Sequence, residues 1–145
     1  MRGRKLTLPL CWVPFNAFMK TVISTAEAPA AVGPYAQGIA AGPFVFCSGQ
    51  IPLDPATGQL VNGGVGVRTE RVLKNLGAVL EAHGIGLDHV VKTVVFLTDL
   101  ADFNEMNSVY AKFFPYQPPA RSTIQVAALP KGANVEIEAV AFKPS

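Results

Sequence analysis

Apolar and polar positions along this chain repeat with two different periods. Between Val65 and His83, the residues Val72, Leu73, Leu76, Val79 and Leu80 recur at spacings of three and four, which predicts an amphipathic helix, and Gly84 follows as its terminator. The same period returns from Ala101 to Phe114, where Phe103, Met106, Val109, Tyr110 and Phe113 form the stripe. Asp99 or Asp102 can cap that second helix, and Pro115, Pro118 and Pro119 end it. Elsewhere the residue types and spacing are those of strands. KTVIS begins the regular part of the chain, and YAQGIAA and PFVFCSGQ, parted by Gly42 and Pro43, predict a hairpin. HVVKTVVFLTDL predicts a strand apolar on both sides, with Val90, Val94 and Phe96 on one face and Val91, Val95 and Leu97 on the other. ARSTIQVAA and NVEIEAVAF, joined by LPKGA, predict the last strands.

Turn chemistry separates these segments. An Ala- and Pro-rich loop runs to Gly33, Pro34 and Tyr35, and IPLDPATGQLVNGG is a surface loop. Gly63, Gly64 and Gly66 lack the companions of a phosphate cradle, so no nucleotide site is expected there. The pattern adds up to one α+β domain, a mixed sheet of about five or six strands with two helices on one face. Two helices leave the other sheet face bare. A strand that is apolar on both sides would then expose an unusually large patch, so a homo-oligomer is expected.

Composition narrows the class. Half of the 145 residues are apolar, 15% are charged and the formal net charge is +2, which suits a packed core and gives no footprint for a polyanion. A small-molecule ligand is expected rather than nucleic acid. Cys11 and Cys47 fall in no CxxC or Cys/His cluster, and His83 and His89 form no H-E-x-x-H, so no metal is implied and reduced thiols in a cytoplasmic protein are expected. Residues 1–18 have a basic start and a short apolar run, but Pro9 and Pro14 interrupt it. It is too short to span a bilayer, and no A-x-A-like cleavage site is evident. The segment reads as a disordered or adventitious extension, with the domain occupying 19–145.

Candidate chemistry lies near the C-terminus. Strand alternation puts Arg121, Thr123 and Gln125 on one face, opposite Ile124 and Val126, which takes Arg121 away from the helix-facing core. Glu136 and Glu138 share a face with Val140 and Phe142, and pairing of the two strands would bring the charged faces together. A guanidinium matches a carboxylate with two parallel donors, and Glu138 adds an acceptor or a base. Together they suit a ligand with a carboxylate beside a positive nitrogen centre. Residue arithmetic leaves open a plain ion pair bracing two strands.

The run P-A-R-S-T-I-Q-V-A-A-L-P-K-G-A-N-V-E-I-E-A-V-A resembles the C-terminal signature of the RidA family, also called YjgF/YER057c/UK114. GPYAQG, SGQIP, VVKTVVFLTDLADFNEMN and Y-x-x-F-F resemble the same family in order and spacing, from about Lys20 to Phe142. The resemblance implies a chorismate-mutase-like fold assembled as a homotrimer, with ligand sites between subunits. It further implies cofactor-free hydrolysis of 2-imino and 2-enamino acids, such as 2-aminoacrylate and 2-aminocrotonate, to 2-keto acids and ammonia. Arg121 would then hold the substrate carboxylate, and Glu138 would direct water and stabilise the iminium. The backbone at Thr123 would bind the nitrogen or the water. Tyr35, Ser48 and Asn107 match positions that line or support the cleft, with a second subunit completing it through Tyr35. Each of the three also has a plain alternative, as a packing aromatic, a strand-end hydrogen bonder and a satisfied helix polar group. Thr123 stands where some members carry cysteine, which excludes a thiolate role. Two other functions attach to such a trimer: RNA binding or endoribonuclease action with translational inhibition, and ligand binding without turnover.

Overall fold

The computed structural model describes residues 20–144. The extension expected at 1–18 lies outside the described residues. Eight principal elements follow one another: β1 (Thr21–Ile23), β2 (Gly38–Ala41), β3 (Phe44–Gln50), α1 (Val65–Glu81), β4 (Val90–Leu97), α2 (Phe103–Phe113), β5 (Ala120–Gln125) and β6 (Val135–Phe142). They build an α+β fold in which a six-stranded sheet has the order β1-β2-β3-β6-β4-β5. β4 and β5 are parallel and every other neighbouring pair is antiparallel.

The helical stripe of α1 is its core face. Val72, Leu73, Leu76, Val79 and Leu80 are fully buried, and side chains of this kind stabilise by about 1.5–3 kcal/mol each on leaving water. They pack with Val45, Val95, Leu97, Val135 and Ile137 of the sheet and with Met106 and Tyr110 of α2, so both helices share one core on one side of the sheet. Of the two candidate caps for the second helical segment, Asp99 accepts from the Ala101 N–H at 2.8 Å, while Asp102 makes no capping bond. The β2–β3 hairpin turns at Gly42, whose φ of 58° is the left-handed conformation that glycine adopts without a Cβ penalty.

Among the described residues nothing covers the other sheet face, much of which is apolar. Phe44 stands 5.6 Å from Phe142 and 6.5 Å from Phe46, ring centre to ring centre, and all three rings are exposed. Phe96 and Val140 continue this face towards the acidic end of β6.

Three expectations are corrected by the topology. β5 and β6 do not pair, because β4 lies between them. After β4 the chain crosses over through α2 and returns parallel to it, which makes β5 an edge strand. The alternation of β4 also breaks at its start. A register shift between Val90 and Lys92 turns Val90 into the core, 6% exposed, and Val91 outwards at 45%. The third correction concerns Arg121. It lies beside buried Thr93 in the parallel ladder, on the helix-covered side, while exposed Ile124 belongs to the bare face.

The loop before β2 is anchored by one buried side chain. The Gln37 amide oxygen accepts from the Thr25 N–H at 2.7 Å, and its nitrogen donates to the carbonyls of Thr25, Ala28 and Pro29 at 3.0, 3.2 and 2.7 Å. Gln37→Leu keeps the volume and strands those main-chain groups. Urea denaturation is expected to show a loss of about 2–4 kcal/mol, the cost of several unpaired polar groups; an unchanged midpoint would show that water replaces the amide.

Candidate functional site

Arg121 owes its position to the β4–α2–β5 crossover. Its guanidinium carbon lies 4.6 Å from the centre of the Tyr110 ring and 5.6 Å from that of Phe103, both on α2. Stacking on two aromatic faces holds a cation without using its N–H donors. Among the described residues Arg121 makes no ion pair. It is half-buried and opens into a cleft of about 360 Å³ that Asn107, Tyr110, Phe114 and Pro119 also line. The guanidinium thus keeps N–H donors open to an anion that the described residues do not supply.

The carboxylates lie elsewhere. Glu136 and Glu138 project from the bare side of β6 into a second cleft of about 610 Å³, whose walls include Tyr35, Ser48, Gly49 and Lys131. A β-bulge in β3 makes this arrangement, since Cys47 pairs with Ala139 but Gln50 pairs with Ile137, leaving Ser48 and Gly49 against the stretch between. Gly49 lets the Glu136 carboxylate approach closely: a Cβ there would push that carboxylate aside. Glu136 is half-buried and Glu138 exposed. Burial raises the pKa of Glu136 above its ordinary value, and the negative charge of Glu138 raises it further.

The structure therefore groups the sequence-derived residues in two sets. Arg121 and Asn107 share the first cleft; Tyr35, Ser48 and Glu138 share the second. Within one chain Arg121 and Glu138 face opposite sides of the sheet: Arg121 neighbours Thr93 of β4, whereas Glu138 neighbours Val94. A simple bracing ion pair between them is ruled out by the same geometry. Tyr35 already stands on the Glu138 side of its own chain. It is 53% exposed, its hydroxyl accepting a long 3.4 Å bond from the Val32 N–H. Ser48 donates to the Ala36 carbonyl at 2.6 Å, while its N–H donates to the Gln37 carbonyl at 3.0 Å, so it fastens the segment that carries Tyr35. Thr123 lies on the helix-covered side beside Val95, with its hydroxyl buried and unpartnered, and its backbone belongs to the edge strand.

Two residues gain weight from the structure. Glu136 shares its strand face with Glu138 but is the more buried of the two, its carboxylate lying against Gly49 of the bulge. Lys131, at a left-handed φ of 55°, adds a cation to the rim of the same cleft and donates to the Gly58 carbonyl at 3.3 Å. Among the described residues no cluster of His, Cys, Asp and Glu has the makings of a metal site, and no helix is long and apolar enough to cross a membrane. What the two clefts offer is an anion anchor in one and a basic carboxylate in the other.

Comparison with known proteins places this geometry in context. Residues 25–143 match the family described as endoribonuclease L-PSP. The chain is 48% identical over 128 residues to the human 2-iminobutanoate/2-iminopropanoate deaminase, covering 88% of this chain and 93% of that protein. It is 52% identical over 129 residues to the chloroplastic Reactive Intermediate Deaminase A of Arabidopsis thaliana, covering 89% and 69%. Among solved structures, E. coli TdcF with bound serine superposes with a TM-score of 0.81 at 43% identity, covering 86% of this chain and 99% of that one.

The raised pKa of Glu136 carries a stability cost with a definite sign. Between the ordinary carboxylate pKa and the raised one, the folded chain holds a proton that the unfolded chain has lost, so stability falls as pH rises through that window. Glu136→Gln removes the charge. Its melting temperature is expected to exceed that of the parent at neutral pH and to converge with it below about pH 4, where both states of the parent are protonated. A constant difference across pH would show that the charge at this position costs nothing.

Proposed function

This chain belongs to the endoribonuclease L-PSP family, the RidA group of proteins, and from that premise we propose that it hydrolyses 2-imino acids and their 2-enamino tautomers to 2-keto acids and ammonia. The observation that carries the reading is the stacked guanidinium of Arg121, half-buried and without a counter-ion among the described residues. Such a group receives a carboxylate through two parallel N–H bonds. The substrate places an electrophilic iminium carbon next to that carboxylate.

Glu136 supplies the base, in the company of Glu138. It takes a proton from water as the oxygen bonds to the iminium carbon, then returns the proton to the nitrogen of the resulting carbinolamine. The C–N bond breaks as the hydroxyl proton leaves and the carbonyl forms, releasing keto acid and ammonium. A carboxylate whose pKa is raised by its surroundings is the stronger base, and its negative charge stabilises the iminium it faces. The open edge of β5 leaves main-chain groups near Thr123 free to hold the nitrogen or the water. None of these steps calls for a cofactor.

Arg121 and Glu136 reach one substrate only across a boundary between copies. A homotrimer supplies it: a head-to-tail interface brings the Arg121 and Asn107 cleft of one copy against the Tyr35, Ser48, Glu136 and Glu138 cleft of the next, and three such steps close a ring. The exposed aromatic cluster at Phe44, Phe46 and Phe142 gives the apolar surface that this assembly would bury.

A coupled assay tests the activity. With threonine dehydratase generating the imine, the purified protein is expected to speed keto-acid appearance, and Arg121→Ala to lower that gain by at least about a hundredfold. No acceleration by the parent protein sinks the reading. Keto-acid binding that survives in Glu136→Gln, in a parent that never turned substrate over, would make this a binding trimer.

Mixed trimers test the shared site. Arg121→Ala and Glu136→Gln are each expected to keep no more than about 1% of the parent activity alone at low substrate, whereas unfolding and refolding them together is expected to restore roughly a quarter of it, the share of random interfaces that pair an intact arginine with an intact glutamate. No recovery would place both groups in one chain's site.

A further inference from the structure

We infer that Tyr110 and Thr93 form a positioning clamp for Arg121, setting the guanidinium at the angle from which it receives the substrate carboxylate; this rests on the anchoring role proposed for Arg121. Three contacts meet at one ring. The Tyr110 face carries the Arg121 guanidinium at 4.6 Å. Its hydroxyl shares a buried 2.7 Å hydrogen bond with the Thr93 hydroxyl. Its other neighbour is the Phe114 ring, 4.6 Å away centre to centre. Tyr110 is only 4% exposed and Thr93 is fully buried, so neither hydroxyl has water as an alternative partner.

The parallel ladder makes the clamp local. Thr93 on β4 and Arg121 on β5 are direct partners in register, and Tyr110 covers both from α2. A tyrosine whose ring merely filled the core would need no hydroxyl. This one is pinned at its far end by a side chain of the strand next to the arginine it carries. The hydrogen bond fixes the ring, and the ring fixes the plane of the guanidinium through stacking, which leaves the N–H donors free. Tyr110 also borders the cleft that Arg121 opens into. The pKa of Tyr110 is raised by burial, against the lowering effects of the Thr93 hydrogen bond and the Arg121 charge. The phenol therefore stays protonated and can serve as the donor in the pair.

Misplacing an anchor that grips substrate and transition state alike raises KM and leaves kcat nearly constant, whereas a loss of folded protein lowers apparent kcat at constant KM. Steady-state kinetics on the full chain with the imine generated in the assay separates the two. Tyr110→Phe, which keeps the ring and loses the lock, and Thr93→Val, which removes the partner hydroxyl at nearly equal volume, are each expected to raise KM by about threefold to tenfold with kcat within about twofold. Tyr110→Leu, which loses the stack as well, is expected to raise KM beyond about tenfold. If Tyr110→Leu does not fold, the two milder variants decide alone. Unchanged KM in both, with Arg121→Ala raising it strongly, overturns the clamp and leaves the anchor standing. An Arg121→Ala variant with parental KM overturns the anchor and the clamp together.

Discussion

The alternation of β6 between its two neighbours is the constraint on which the other features depend. Its even-numbered side chains Glu136, Glu138, Val140 and Phe142 share the bare face, and Val135, Ile137, Ala139 and Ala141 share the core. A slip of one residue would bury two carboxylates under the helices and expose the aliphatic row, so the hydrophobic effect fixes the register firmly. The same register sets the bulge of β3 opposite Glu138, and the bulge puts Gly49 against the Glu136 carboxylate. Core packing and site chemistry are thus two faces of one strand.

Much of this was legible in the chain. The α1 stripe at Val72, Leu73, Leu76, Val79 and Leu80 reads as a helix because its spacing has only one amphipathic solution, and all five side chains are buried. The faces of β6 could likewise be read from its alternation. Arg121 could not, and the reason is physical. Alternation tells which residues share a face but not which face is the core, and Ile124 pointed to the wrong one because the bare face is itself apolar. In β4 the shift between Val90 and Lys92 defeats alternation at the start of the strand, since a bulge leaves no mark in the Val90-Val91 pair.

The adjacency of β5 and β6 in sequence invited a pairing that the fold does not make. Short connections usually join neighbouring strands, but β5 takes the outer place beside β4 through a helical crossover, and β6 returns inside it. The difference between Glu136 and Glu138 was equally out of reach. Both lie on the same side of one strand. Only the long-range contact with Gly49 and the walls of the cleft give one of them the deeper burial.

The separation of the two clefts has an electrostatic consequence under the proposed assembly. Arg121 forms no ion pair among the described residues, and Glu136, on the other side of the sheet, keeps a pKa raised by burial and by the charge of Glu138. Had one chain carried both groups within reach, they would have neutralised each other, and the arginine would have held the glutamate in its weakly basic form. The proposed trimer would bring the groups close enough for one small substrate to lie between them, and would remove water from both clefts at the same step. Each group would then turn to the substrate, the arginine to its carboxylate and the glutamate to the water that attacks its iminium carbon. The apolar face that the proposed trimer would bury and the acidic row beside it belong to the same side of the same sheet. In the proposed trimer, burying the one would therefore also draw water away from the other.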